Sequence, residues 1–243
     1  MILADGALRG RSAVVSGASS GIGLATAARL HDLGASVTAF ARRRDAIAEG
    51  LGDREVDARA LDVTDREACA AALEHDSLDA LVLAAGTNVK DRHLEDLSPE
   101  SWDALMRTNL DGVYNLVSPA LPALRAAKGI VVIVGSVSGS WPDVSGPAYQ
   151  ATKAGVLAFA RGATLEEFDR ETGVRFSVVA PGVVDTPLLE NRPNPPSAEQ
   201  RAVALTSEDV AEVCAFLCAL PPGVHVPELT MLPTALQALG RTS

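Results

Sequence analysis

Along the chain, short apolar runs rich in β-branched residues alternate with longer Ala- and Leu-rich stretches whose apolar positions recur at helical spacing. The runs at 13–15, 36–40, 58–61, 80–84, 130–134, 175–179 and 228–232 read as strands. The stretches at 22–33, 43–51, 66–74, 99–127, 149–171 and 207–220 read as helices. Several strands, Ile130–Val134 most plainly, are apolar throughout rather than alternating. That composition belongs to strands covered on both faces, as in a parallel sheet flanked by helices. Strand, helix, strand repeated this often predicts an α/β fold with a doubly wound, seven-stranded, mostly parallel sheet and helices on both faces.

One stretch breaks the alternation. Residues 186–197 hold Pro187, Pro193, Pro195 and Pro196 and read as helix-poor. They follow the sixth strand, whose carboxyl end is where such sheets bind ligands. A surface excursion and a lid over a substrate are both consistent with this position.

At 243 residues, 47% apolar and 21% charged, the chain can bury a sizeable core and is expected to form one domain over 1–243. A formal charge of −10 argues against a nucleic-acid partner and against an anionic membrane surface. No apolar run reaches membrane-spanning length and no secretory leader opens the chain, so the cytoplasm is the expected compartment. Cys69, Cys214 and Cys218 are too few and too scattered for a disulfide framework. Cys214 and Cys218 stand four apart on a predicted helix and read as core thiols, with a metal or redox pair as the other possibility. His31, His75, His93 and His225 show no metal-ligand or triad spacing, and no metal is expected.

The first strand runs into the first helix through Val14-Val15-Ser16-Gly17-Ala18-Ser19-Ser20-Gly21-Ile22-Gly23. Glycines at such a turn let the backbone approach a pyrophosphate closely, and the helix N-terminus offers N–H donors to it. The Gly-x3-Gly-x-Gly spacing differs from the common Gly-x-Gly-x2-Gly, and a simple loop would also carry glycines. Its place at the first strand-to-helix turn favours a dinucleotide, in a Rossmann-type domain. Some twenty residues on, an acid usually grips the ribose of NAD. Here the second strand ends in Phe40-Ala41-Arg42-Arg43-Arg44, and arginine forks suit a 2′-phosphate. The reading is NADP in preference to NAD, with Asp45 keeping NAD open.

Tyr149 and Lys153 stand four apart at the start of a predicted helix and so share one face. A neighbouring ammonium favours the phenolate and is expected to lower the phenol's pKa, making Tyr149 a proton donor or acceptor near neutrality. Ser136, just past the fifth strand, can reach the same space.

In this order and spacing the motifs resemble those of the short-chain dehydrogenase/reductases of about 250 residues, over nearly the whole chain. Gly17, Ser19, Ser20, Gly21, Ile22 and Gly23 match the cofactor turn, and Asp62-Val63 the pair that contacts adenine. Leu83-Ala84-Ala85-Gly86 matches the segment after the fourth strand, and Asn109, Ser136, Tyr149 and Lys153 the four-residue active site. Pro181-Gly182, Val184 and Thr186 match the turn that holds the nicotinamide. The resemblance implies hydride transfer between NADP(H) and a carbonyl or secondary alcohol. Tyr149 would be the general acid/base, and Lys153 would tune it and hold the nicotinamide ribose. Ser136 would bond the substrate oxygen, and Asn109 would position a water in a relay to Lys153. It also implies a homodimer or homotetramer, and the small residues Ala151, Ala154, Gly155, Ala158, Ala160 and Gly162 suit close packing on a neighbouring subunit or on the chain's own sheet.

Two positions depart from the family pattern. Ala84-Ala85 replaces paired asparagines and should weaken hydrogen bonding under the cofactor. The ending Pro227-Glu228-Leu229-Thr230-Met231-Leu232-Pro233-Thr234 replaces an Asp-Gly-Gly turn and looks like a subgroup that includes NADP-dependent oxidoreductases of hydroxy acids and 3-hydroxy amino acids. The alternative function is a cofactor-binding sensor or regulatory protein with little turnover; a third is an epimerase or dehydratase. Loops 87–98, 138–145 and 186–204 are expected to line the substrate site, with Trp141, Asp143 and Asp185 as further candidates and Lys90, Arg92, Arg192 and Arg201 as possible carboxylate partners.

Overall fold

The computed structural model describes residues 3–236. Its strands are β1 Ser12–Ser16, β2 Ser36–Ala41, β3 Asp57–Ala60, β4 Ala80–Leu83, β5 Ile130–Val134, β6 Arg175–Pro181 and β7 Glu228–Met231. Its helices are α1 Gly21–Asp32, α2 Arg44–Leu51, α3 Arg66–Ala72, α4 Pro99–Met106, α5 Gly112–Ala127, α6 Pro147–Asp169, α7 Ala198–Ala202 and α8 Ser207–Ala219. The strands form one seven-stranded sheet in the order β3-β2-β1-β4-β5-β6-β7. The sequence predicts a mostly parallel sheet; all six neighbouring pairs are parallel.

Two cores explain why the central strands are apolar at every position. Along β5, Ile130, Val132 and Val134 enter one core and Val131 and Ile133 the other. Side chains alternate between sheet faces, so a strand covered on both sides needs no polar residue. Residues of α1, α2 and α8 complete the first core; those of α3, α5 and α6 complete the second. Phe40 and Phe176, both fully buried in the second, each contribute about 2–3 kcal/mol by burial.

The strand order reverses on either side of β1, between β2 and β4. At that point helices leave toward opposite faces and a crevice opens at the carboxyl ends of the strands.

Two expectations are corrected. The single helix over 99–127 is α4 and α5 joined by a five-residue π-turn, Arg107–Asp111. Such a turn widens the helix locally and re-aims its side chains; apolar periodicity does not reveal it. The segment 186–197, read as helix-poor, does hold one 3₁₀ turn, Pro187–Asn191; the short α7 begins just past it, its first turn closed by a capping box between Ser197 and Gln200.

Candidate active site

A cleft of about 650 Å³ lies at the carboxyl ends of the strands, a size suited to a small-molecule ligand. Gly17 forms its floor with φ +72°, a conformation that disfavours any Cβ. A Cβ there would lie 2.5 Å from the Ala85 nitrogen and 2.6 Å from the Ala84 carbonyl carbon. At Gly23 it would lie 2.4 Å from the Gly17 oxygen. The turn is therefore pressed against the backbone that leaves β4, which accounts for glycine at position 17. In place of asparagine side chains, the Ser16 hydroxyl accepts from the Ala85 amide at 3.5 Å. Ser20 precedes α1 without capping it by its side chain, and no acid occupies the first turn. The N–H groups of that turn are thus available to an anion.

The ends of β2 and β3 supply the next part of the wall. Arg42 and Arg43 line the cleft, and Arg43 Nη2 sits 3.5 Å from the Ser19 hydroxyl. Asp62 accepts from the Thr64 amide at 2.9 Å and its hydroxyl at 2.8 Å. The Thr64 amide, more than the nearby Arg42, holds its carboxyl below the usual range despite partial burial. Val63 is buried beneath, its carbonyl accepting from Asn115 Nδ2 at 2.9 Å.

Tyr149 and Lys153 both face the cleft from the first turns of α6, each less than a tenth exposed. Lys153 Nζ donates to the Val134 carbonyl at 2.9 Å and lies 5.6 Å from the Tyr149 ring centroid. The expected lowering of the phenol's pKa by this ammonium is corrected by the geometry. Burial dominates and pushes the Tyr149 phenol up to about 12. A hydrogen bond with Ser136 opposes it, Asp143 adds to it, and Arg192 and Arg92 draw it down. Burial also drives Lys153 down to about 8. The cations that act on the phenol are two loop arginines, while Lys153 is engaged by the carbonyl at the end of β5.

Ser136 continues into a chain of hydroxyls. Its Oγ donates to Ser138 Oγ at 3.0 Å and accepts from the Ser138 amide at 3.1 Å. Ser138 Oγ in turn donates to the Asp143 carboxylate, which also accepts from the Ser145 amide at 2.8 Å. A hydrogen-bonded line thus runs from Ser136, which shares the cleft with the phenol, and finishes on a carboxylate.

Asn109, carried on the π-turn, is the one residue of the resembled four-residue active site that does not line the cleft. Only 1% exposed, it accepts from the Thr87 amide at 2.8 Å and donates to the Thr87 carbonyl at 3.0 Å and Thr152 Oγ1 at 3.2 Å. Thr152 donates to the Tyr149 carbonyl at 2.7 Å. Asn109 thus ties the exit of β4 to α6 directly behind the turn that carries Tyr149. The extra residue of the π-turn is what aims it inward. The match to the family's four-residue active site was the signal that singled out Asn109; Thr152, one residue before Lys153, gave none.

Pro181, Gly182, Val184 and Thr186 close the cleft opposite the glycine turn, with the Thr186 methyl 3.3 Å from where a Gly21 Cβ would stand. Of the four loop cations weighed from the sequence, Arg92 and Arg192 line the cleft. Arg201 is paired with Asp185 and Glu190, and neither Lys90, Trp141 nor Asp185 lines it. In all, Arg42, Arg43, Arg92, Arg107, Lys153 and Arg192 face Asp62 and Asp143, six basic side chains to two acidic. A chain of net charge −10 has concentrated positive charge in its cleft. The Cys214 and Cys218 thiols pack in the first core, and burial raises the pKa of both, which leaves them unreactive.

This strand order, with a glycine cradle at the switch point and a cationic cleft above it, defines a dinucleotide-binding α/β protein. The comparison with known proteins carries the assignment further. The model of the short chain dehydrogenase family matches residues 11–196. The chain belongs to that family of NAD(P)-binding oxidoreductases. It is 37% identical over 228 residues to the cis-4-hydroxycyclohexanecarboxylate dehydrogenase of Sinomonas cyclohexanicum, covering 85% of this chain and 88% of that protein. It is 32% identical over 237 residues to sulfoacetaldehyde reductase 2 of Chromohalobacter salexigens, covering 91% and 93%. Among solved structures, the closed form of serine dehydrogenase complexed with NADP+ is similar over 96% of this chain and 98% of that one, with a TM-score of 0.85 and 30% identity.

Proposed function

We propose that the protein transfers a hydride between NADP(H) and a small carbonyl or secondary-alcohol substrate, with Tyr149 as general acid in reduction and base in oxidation. The observation that carries the reading is the buried Tyr149 phenol, which faces the same cationic cleft as Ser136 and Lys153 above the glycine turn. The glycine cradle, the free first turn of α1 and the basic lining all fit a dinucleotide phosphate.

When bound, the nicotinamide supplies the hydride; the protein's share is orientation and proton handling. Gly17, Ser19, Ser20, Gly21, Ile22 and Gly23 would hold the pyrophosphate, and Asp62, Val63, Ala85 and Gly86 the adenosine side. Pro181, Gly182, Val184 and Thr186 would hold the nicotinamide, with Lys153 at its ribose. Ser136 and Tyr149 would both bond the substrate oxygen, Ser136 fixing its direction while the phenol hands over its proton. A phenol held near 12 is protonated at neutral pH, the state that reduction requires. Asn109 would keep α6 and Thr87 in register behind them and, through that position, order a water beside Lys153.

Arg42 and Arg43, with no acid at the end of β2, support NADP over NAD. The whole chain is proposed to act as one cofactor-binding domain with loops 87–98, 138–145 and 186–204 shaping the pocket. A cytoplasmic homodimer or homotetramer is part of the same proposal. Exposed Ala151, Ala154, Ala158 and Gly162 form a stripe along α6 that ends at exposed Leu165 and Phe168, and Tyr114 on α5 is also exposed.

The test is oxidation of NADPH and of NADH, followed at 340 nm, across aldehydes, ketones and oxo acids. Turnover with NADPH, weakened at least tenfold in affinity by Arg42→Ala with Arg43→Ala, is expected. Tight NADPH binding with no turnover on any carbonyl would favour the sensor reading instead.

A further inference from the structure

The two arginines beside Tyr149 have different circumstances. Arg92 is 3% exposed and engaged by backbone: its Nε donates to the Val89 carbonyl at 2.9 Å and its Nη2 to the Asn191 carbonyl. Asn191 Nδ2 donates to the Asn88 carbonyl at 3.1 Å, and Asn88 Nδ2 to the Ser145 carbonyl at 3.1 Å. These bonds staple all three substrate-side loops to one another. The residue next to this staple is Arg192. Its guanidinium lines the cleft and makes no hydrogen bond or ion pair with any other described residue. Asp143, the one acid at this end, already accepts from Ser138 and Ser145.

A half-buried guanidinium that feels the Asp143 charge but has no hydrogen-bonded partner among the described residues, next to the stapled Asn191, is a costly arrangement unless a ligand completes it. We propose that Arg192 is the anion-binding residue of the substrate subsite, and that the substrate is a hydroxy or oxo compound bearing a carboxylate or sulfonate. The inference rests on the hydride-transfer reading above and adds the substrate class to it. The cofactor's phosphates are served at the other end of the cleft, by the first turn of α1 and by Arg42 and Arg43. Arg92 is a positioning residue: it holds the Asn191 carbonyl and, through it, the direction of Arg192. A planar fork suits a carboxylate bidentately, so lysine should replace it only in part.

The experiment measures kcat/KM with NADP+ for a series of hydroxy acids with the carboxylate one to four carbons from the carbinol, each against its primary amide, with hydroxy sulfonates as a second arm. The expected result is a preference of at least a hundredfold for an anionic member over its neutral amide. The arm with the larger preference identifies the head group. Arg192→Ala should bring the ratio to near one, and Arg192→Lys should restore part of it. Equilibrium binding of NADPH, read by its fluorescence, should be the same in parent and variants. Turnover of acids and amides at equal rates, or an Arg192→Ala variant that loses NADPH affinity and keeps its acid preference, overturns the inference while leaving the hydride-transfer reading standing. No turnover of any member of either series, while a neutral aldehyde or ketone is reduced with NADPH, overturns the inference alone; no turnover on any carbonyl, with NADPH bound, sinks the reading beneath it as well.

Discussion

Gly17→Ala is the substitution for which the structure gives the most definite magnitude. The residue sits at φ +72°, where an L side chain costs about 1–2 kcal/mol. The added methyl would also meet the Ala85 nitrogen at 2.5 Å and the Ala84 carbonyl carbon at 2.6 Å. Those atoms belong to the backbone leaving β4, which is held by the sheet and cannot swing aside as a side chain could. Overpacking of that kind costs about 1–3 kcal/mol, so the total is about 2–5 kcal/mol. In a chain of this length each kcal/mol moves Tm by about 2–4 °C, which predicts a fall of about 4–20 °C. The turn must shift to relieve the contact, and the cradle shifts with it. NADPH affinity, measured by fluorescence titration below the variant's Tm, should fall at least tenfold. A variant melting within a degree of the parent and binding NADPH equally well would refute the account of the turn.

Other expectations concern the site's electrostatics and the core. Asp143→Asn removes the anion that raises the Tyr149 pKa, so the rising limb of the pH profile for alcohol oxidation should move to lower pH; an unmoved limb would place Asp143 outside the phenol's field. Because oxidation needs the deprotonated phenol, that limb should rise with pH in parent and variant alike, and the reductive rate should fall. Glu167, 3% exposed, accepts from Arg125 Nε at 2.9 Å and from Thr172 at 2.7 Å, and Arg125 above all holds its carboxyl below the usual range. Glu167→Gln should cost about 1–3 kcal/mol at neutral pH, discounted because Arg125 is 38% exposed. A depressed carboxylate stabilises above its unfolded pKa and loses that contribution as pH falls through its folded one. Denaturant curves should therefore show the parent's advantage shrinking below about pH 4.

The fold was legible in the sequence because uniform β-branched runs and helical stretches have distinct periods, and seven of the first kind have one economical packing. The glycine turn and the Tyr149–Lys153 spacing were legible because both are local: each lies within a few residues of one strand or helix end. What was hidden depends on contacts between distant segments. The π-turn that aims Asn109 at Thr87 and Thr152 leaves the apolar pattern of 99–127 intact. The electrostatics of Tyr149 also ran against the sequence reading, since i,i+4 spacing fixes a shared helix face and not the degree of burial. Arg92 and Arg192 lie a hundred residues apart, and the Arg92–Asn191, Asn191–Asn88 and Asn88–Ser145 bonds tie together the loops that carry them.

The account depends most on Tyr149 as the proton donor, and pre-steady-state mixing of a Tyr149→Phe variant with NADPH and a reducible carbonyl tests it directly. Phenylalanine keeps the ring, which is almost all of the buried volume, and removes only the hydroxyl. Loss of the 340 nm transient by a factor of about 10²–10⁴ is predicted, with the dissociation constant for NADPH unchanged within twofold. A variant that still transfers hydride within tenfold of the parent rate would contradict the assignment of Tyr149.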